Sequence, residues 1–316
     1  MRNRPRVTVL GSLNMDISVT VPRLPEPGAT VLGSPARFTP GGKGANQAVA
    51  AARLGASVRM AGCVGDDDFG RQLLAALGEE NIAADDVRTV PGVPTGLAMI
   101  SVDPAGENLI TVAPGANHEV GAGEVAAAAS SPGDVLVICA EIPVPAIRAA
   151  LARARGARCI LNLAPAPESP DEAAAIVAGG VDWLVVNETE AAAVLGRKVE
   201  GLTDAAEAAA GLVAAGARHA VVTAGAHGAA LASSTGPAGA PQTIEAFGVK
   251  AVDTVGAGDT FVGALAVALA AGVPPAEAVR AAAAAGATAA TRYGAQAGMP
   301  RAADIRAATG LTWPVN

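Results

Sequence analysis

The stretch Asp253-Thr-Val-Gly-Ala-Gly-Asp-Thr-Phe261 is the most informative in the chain. Gly256, Ala257 and Gly258 run directly into an Ala-rich helical pattern from Thr260 onward. A helix entered this way presents unpaired backbone N–H groups, and these make an anion site. Asp259 stands inside that positive patch, where a carboxylate is kept ionised. The amides of Gly256, Ala257 and Gly258 can hold a transferring phosphoryl group while Asp259 takes a proton from the attacking hydroxyl. The chemistry indicated is phosphoryl transfer to a small molecule. Ligand sites of this kind belong beyond the strand ends of an α/β sheet.

The flanking sequence has that rhythm. Strand-like apolar runs are Val7–Leu10, Val58–Val64, Val135–Ala140, Cys159–Leu163, Trp183–Val186, Ala220–Thr223 and Ala229–Ala232. Helical patterns lie near Ala45–Leu54, Phe69–Leu77, Pro145–Arg153, Ala173–Ala178, Glu188–Leu195 and Asp204–Ala215, with long ones at Asp259–Ala271 and Ala276–Arg292. The alternation predicts an α/β fold, a mostly parallel sheet flanked by helices on both faces. Two segments break it. Ile17–Val21 with Thr30–Phe38, and Gly96–Val102 with Asn108–Val112, read as short strands between turns rich in Pro, Gly and Asp. Asp103-Pro-Ala-Gly-Glu107 has hairpin chemistry. We expect a small second sheet, either a lid or a dimer surface. No linker or repeat stands out, so residues 1–316 read as one domain with a β lid from about 14–39 and 95–113.

Composition narrows the function. Of 316 residues 51% are hydrophobic but only 2% aromatic, so the core must be built from Ala, Val, Leu and Ile. A formal net charge of −7 argues against a nucleic-acid partner. Cys63, Cys139 and Cys159 lie in apolar stretches without metal-ligand spacing, as inert core thiols of a reducing compartment do. Val7–Leu10, after the basic Met1–Arg6, is too short for a signal-peptide core, and no apolar run approaches the ~20 residues of a membrane span. The expectation is a soluble, cytoplasmic protein with no membrane partner.

Further polar clusters follow the strand-like runs. Gly41-Gly-Lys-Gly-Ala-Asn-Gln47 opens a helix; its glycines let backbone approach a ligand, and Lys43 and Asn46 add polar handles. It is not a Walker loop, and an ordinary helix-entry turn with an exposed lysine would look the same. Asn14 and Asp16, two residues apart on extended chain, point the same way and can grip vicinal sugar hydroxyls, or can form a plain polar turn. Glu141 closes the Val135–Ala140 run and faces the same cleft if the sheet is parallel; it can equally be a solvated strand-end acid. Asn187-Glu-Thr-Glu190 opens another helix, where Glu190 either matches the dipole or holds Mg²⁺ through water. Thr223-Ala-Gly-Ala-His-Gly228 is a glycine-bearing turn on which a nucleotide could lie, and a hairpin turn reads identically. His227 has no second ligand at zinc spacing.

Together, in this order, these motifs resemble the ribokinase-like (PfkB) carbohydrate kinase family from Gly11 to about Pro300. The Gly-Gly region near residue 41 and Asp253-Thr-Val-Gly-Ala-Gly-Asp259 carry the family resemblance. Gly41-Gly-Lys-Gly-Ala-Asn-Gln-Ala48, Gly11-Ser-Leu-Asn-Met-Asp16, Asn162-Leu-Ala-Pro-Ala166 and Thr291-Arg-Tyr-Gly-Ala-Gln296 resemble its ribokinase branch. The resemblance implies ATP-dependent phosphorylation of D-ribose at the 5-hydroxyl, with Asp259 as general base. It implies sugar contacts from Asn14, Asp16, Gly42, Lys43, Gly44, Asn46 and Glu141. It implies a nucleotide site lined by Asn187, Thr223, Gly225, Gly228, Gly258 and Ala283, with Mg²⁺ bridging the phosphates. A potassium site is implied at Asp253, Val255, Ala289, Arg292, Gly294 and Gly298, mostly through backbone carbonyls. Gly298 stands where many relatives carry serine, and Ala283 where some place a polar residue near the adenine. The small sheet is implied to be a lid over the sugar, and two lids to pair in a homodimer.

Other readings stay open on the sequence. A kinase of the same family acting on deoxyribose, another pentose or a nucleoside would keep Asp259, although few aromatics are available to stack on a base. A non-catalytic sugar or nucleotide sensor would have no use for Asp259. A dinucleotide-dependent dehydrogenase is disfavoured because no Gly-x-Gly-x-x-Gly follows the first strand.

Overall fold

The computed structural model of the chain describes residues 4–129, 133–154, 157–235 and 240–315. The first three residues of the basic N-terminus lie outside them. Its strands are β1 (Arg6–Leu10), β2 (Asn14–Thr20), β3 (Arg37–Gly41), β4 (Ser57–Gly65), β5 (Ala83–Val90), β6 (Gly96–Val102), β7 (Asn108–Ala113), β8 (Val135–Cys139), β9 (Arg158–Asn162), β10 (Val181–Asn187), β11 (Ala217–Thr223), β12 (Gly228–Ser233) and β13 (Gln242–Glu245). Its helices are α1 (Lys43–Arg53), α2 (Asp68–Glu79), α3 (Ala122–Ala127), α4 (Val144–Arg153), α5 (Pro170–Ala178), α6 (Glu188–Leu195), α7 (Gly201–Ala214), α8 (Ala257–Ala270), α9 (Pro275–Ala289), α10 (Ala295–Gly298) and α11 (Ala302–Thr309).

The main sheet has the order β13-β12-β11-β10-β9-β8-β1-β4-β5. Every pairing from β5 to β11 is parallel, and β12 and β13 close one edge antiparallel. Alternation along the strands feeds two cores. Val135, Val137, Ile160, Trp183, Val185 and Val221 pack with α1, α8 and α9 on one face. Leu136, Ile138, Leu161, Leu184, Val186 and Val222 pack with α4 to α7 on the other. Strands buried on both faces read as continuous apolar runs, which is why they were legible.

The second sheet, order β3-β2-β6-β7, pairs β2 with β6 in parallel and its outer strands antiparallel. Three details differ from the sequence expectations. Of the expected strand Thr30–Phe38 only the end enters a strand, as β3; residues 30–36, which hold Gly33 and Pro35, form none. β2 begins at Asn14, so Asn14 and Asp16 are strand residues. α8 begins at Ala257, which places Ala257 and Gly258 inside the helix with Asp259 in its first turn.

Candidate active site

Two helix starts face each other beyond the carboxyl ends of the central strands. Gly256, at φ 77°, caps α8 in a left-handed conformation that glycine adopts without strain. Among the described residues, the N–H groups of Gly256, Gly258 and Asp259 have no protein acceptor, whereas Ala257 donates its N–H to the carbonyl of Thr254 at 3.1 Å. The open donors at this end are therefore the two glycines and Asp259. From α1, Asn46 Nδ2 donates to Asp259 Oδ2 at 2.9 Å and Gln47 Nε2 donates to Oδ1 at 3.2 Å. Each carboxylate oxygen thus receives one amide and keeps a lone pair for an incoming proton. Burial raises the pKa of Asp259, and Lys43 with the two amides works against that rise.

Asp16, Glu141 and Glu190 surround the same space, with Lys43 among them. Burial, then the Glu141 and Asp259 charges, push the Asp16 carboxyl up to about 7, with Lys43 opposing. Burial also raises Glu190. For Lys43, burial works against the charge, but Asp259, Glu141 and Glu190 outweigh it and leave the ammonium more firmly protonated than a free lysine. Glu141 Oε2 accepts from Ser12 Oγ at 2.6 Å and from the Lys43 N–H at 3.2 Å, and Lys43 Nζ stands 3.9 Å from its other oxygen. Asp16 lies against Gly41, where a Cβ would sit 2.1 Å from its carboxylate oxygen. A Cβ on Gly42 would meet the Asn14 backbone nitrogen at 2.6 Å, so this glycine pair lets α1 start beside β2. Gly44, buried on α1, donates its N–H to Ser12 Oγ at 3.3 Å.

A cavity of about 680 Å³ adjoins this space. Asn187, Thr223, Gly225, Gly228, Gly258 and Ala283 all line it, as expected for a nucleotide site. Its floor is apolar, with Phe247, Phe261, Gly286 and Ala287. Lys43, Glu190 and Asp259 line the smaller adjoining cavity, and Asn187, Thr223 and Gly258 line both. Glu190 is also the partner of Asn187 in a capping box at the start of α6, with 2.8 and 2.9 Å bonds. His227 is exposed, and among the described residues no three His, Cys, Asp or Glu side chains converge to hold a metal.

The expected cation residues lie on the other side of Gly256. Asp253 accepts from the N–H groups of Val255 at 3.0 Å and Gly294 at 2.8 Å. A Cβ on Gly298 would start 3.4 Å from the carbonyls of both Ala289 and Arg292. The Arg292 side chain turns away to Asp304 at 2.8 Å, leaving its carbonyl as the inward group.

Sequence reasoning missed a layer of amides and hydroxyls behind the site. Asn117 Nδ2 donates to Asn14 Oδ1 at 2.7 Å. Asn162 Nδ2 donates to the Val185 carbonyl at 3.2 Å, and Asn162 Oδ1 accepts from Gln47 at 2.9 Å. Gln296 Nε2 donates to Asn46 Oδ1 at 3.1 Å. Gln47 in a buried alanine helix and Asn162 ending an apolar strand were available signals; Asn117 offered none.

The sequence pattern of the pfkB family carbohydrate kinase matches residues 4–302. Ribokinase of Haemophilus influenzae is 36% identical over 301 residues, covering 94% of this chain and 96% of the relative. The structure of Arabidopsis thaliana ribokinase complexed with ribose and ATP superposes with a TM-score of 0.81 at 30% identity, covering 96% of this chain and 98% of that one. Phosphofructokinase-2 of Escherichia coli in complex with potassium gives a TM-score of 0.77 at 27% identity, covering 96% and 98%.

Proposed function

The chain belongs to the pfkB family of carbohydrate kinases, and from that premise we propose that it transfers the γ-phosphoryl group of ATP to the 5-hydroxyl of D-ribose. One observation carries the reading. Asp259 sits at the open start of α8, held by two amides, in the smaller carboxylate-lined cavity, which shares Asn187, Thr223 and the neighbouring Gly258 with the large one.

Asn14 and Asp16 on β2, with Lys43, Asn46 and Glu141, grip the sugar hydroxyls. The backbone of Gly42 and Gly44 allows the close approach. The sugar orients its 5-hydroxyl toward Asp259, which accepts the proton as the oxygen attacks. The open N–H groups of Gly256 and Gly258 stabilise charge building on the phosphoryl oxygens. Ala257 joins them on release of its bond to Thr254. The adenine lies on the apolar floor by Ala283, with Asn187, Thr223, Gly225 and Gly228 along the nucleotide. Glu190, with one oxygen free of the capping box, would hold Mg²⁺ through water, and the ion would supply charge neutralisation for the transferring group.

A potassium site at Asp253, Val255, Ala289, Arg292, Gly294 and Gly298 fits the donor set, one carboxylate with converging carbonyls. The ion would supply hard-oxygen coordination that steadies the turn into the anion hole. The four-stranded sheet is the lid of this single kinase domain, and a second copy pairs with it. Phe38, Met99, Leu109, Ile110 and Val112 leave that sheet exposed and apolar. The three free, buried cysteines suit a cytoplasmic setting. Among the described residues no helix is long and apolar enough to cross a membrane.

The test is ADP release with ATP, Mg²⁺ and a panel of pentoses and nucleosides, run in potassium and in sodium. Ribose-dependent turnover, faster in potassium, is expected. Turnover on another acceptor alone would reassign Asn14, Asp16 and Glu141, and no turnover on any would favour a sensor.

A further inference from the structure

Within Thr291-Arg-Tyr-Gly-Ala-Gln296, only Arg292 and Gly294 enter the reading above, through the cation site, yet the last residue, Gln296, reaches the base itself. The short helix α10 touches three parts of the machinery. Gly294 donates its N–H to Asp253 at 2.8 Å. Ala295 lies against the anion-hole turn, where a Cβ on Gly256 would fall 2.9 Å from the Ala295 Cα. Gln296 donates to Asn46 Oδ1 at 3.1 Å, and Asn46 in turn donates to Asp259 Oδ2 at 2.9 Å. Arg53, on the same helix as Asn46, holds the carbonyls of Gln296 and, at 3.0 Å, Met299, and is itself paired with Glu80 at 2.5 Å.

The side-chain amide of Asn46 has a donor end and an acceptor end. Only the donor end suits a carboxylate. Turned over, it would set a carbonyl oxygen against Asp259. The neighbourhood makes that costly, because Asp16, Glu141 and Glu190 already face Asp259 and Lys43 is the cation answering them. Gln47 cannot substitute, since its amide is committed to Asn162 as well as to Asp259. What decides the Asn46 orientation is the N–H arriving at its oxygen, and Gln296 supplies it.

We propose that Gln296 is a positioning residue for Asp259: from α10 it locks the Asn46 amide with an N–H toward the carboxylate, and so couples the anion-hole turn to the base. The proposal rests on Asp259 being the general base of the reaction proposed above.

Gln296→Met removes the donor without adding charge, and Gln296→Glu replaces it with an acceptor that attracts the Asn46 N–H away. Losing a hydrogen bond to a charged group is expected to lower kcat by about tenfold or more, with the KM for ATP near wild type. The Asp259 carboxyl is followed separately by ¹³C NMR in aspartate-labelled protein, assigned by the signal missing from Asp259→Asn. Its titration is expected to move up by roughly one pH unit, further in Gln296→Glu than in Gln296→Met. A Gln296→Met protein with wild-type kcat and an unmoved Asp259 titration would overturn the proposal. So would a fall in activity matched only by a fall in Tm. The NMR titration needs no substrate, so it decides the role of Gln296 even if the wild type turns over no ribose.

Discussion

Asp16 is an acid placed where folding alone does not keep it charged, since burial, with Glu141 and Asp259 nearby, pushes its carboxyl up to about 7. A group with a folded pKa above its unfolded value holds its proton more tightly in the native state. Its contribution to stability is fully present below the unfolded value of 3.8 and is lost as pH rises through about 7. Asp16→Asn removes that loss. At pH 8 its Tm is expected to exceed wild type by roughly 3 °C or more, the gap closing toward pH 4. Ribose turnover should fall in the same protein, with kcat/KM down roughly 100-fold. Melting curves across pH check the first statement, and a less stable Asp16→Asn at pH 8 would refute it. The residues proposed to touch ligand were legible because they sit in glycine-rich turns or interrupt apolar runs. The roles of Asn117 and Gln296 were not, because they depend on partners at 103 and 250 positions' distance, reached only once the sheet is formed.

At the scale of elements, the site is two helix starts and one strand pair. Sequence placed the start of α8 at Asp259, whereas the glycine at 256 can cap the helix earlier and brings Ala257 and Gly258 into its first turn. β5 went unread because Asp85 and Asp86 break its apolar pattern, and its edge position leaves much of it exposed. The lid is more informative than its sequence. Register puts Asp16 beside Ala98, and Ala98 beside Val112, so alternate residues Ile100 and Ile110 share the face that carries Asp16. Ile110 is 51% and Val112 44% exposed there. If a second copy covers this face, Ile110→Asp is expected to give a monomer by sedimentation and to raise the KM for ribose several-fold. Its Tm should fall only modestly, because about half of the Ile110 side chain already faces solvent. A variant still sedimenting as the wild type does would remove this face from the interface.

At the scale of the whole molecule, two adjoining cavities share Asn187, Thr223 and Gly258, beside Asp259. The nine-stranded sheet aligns its strand ends so that Glu141 and Asn187 arrive at the same side, from the ends of β8 and β10, while Asn14 follows β1 at the start of β2 in the smaller sheet. Alternating runs made that architecture readable, and the order of the strands came only with the structure, since parallel pairing leaves no local mark in the sequence. For a protein with net charge −7, the proposed binding of an anionic donor here rests on local donors, the open N–H groups at the start of α8. The most direct measurement is ³¹P NMR of the product formed from ATP and ribose by the wild type and by Asp259→Asn, with calorimetry of both ligands on each. Ribose 5-phosphate from the wild type is expected, with a rate about 10³-fold lower in Asp259→Asn and both ligands still bound. Phosphorylation at the wild-type rate by Asp259→Asn would contradict the role of Asp259 as the base.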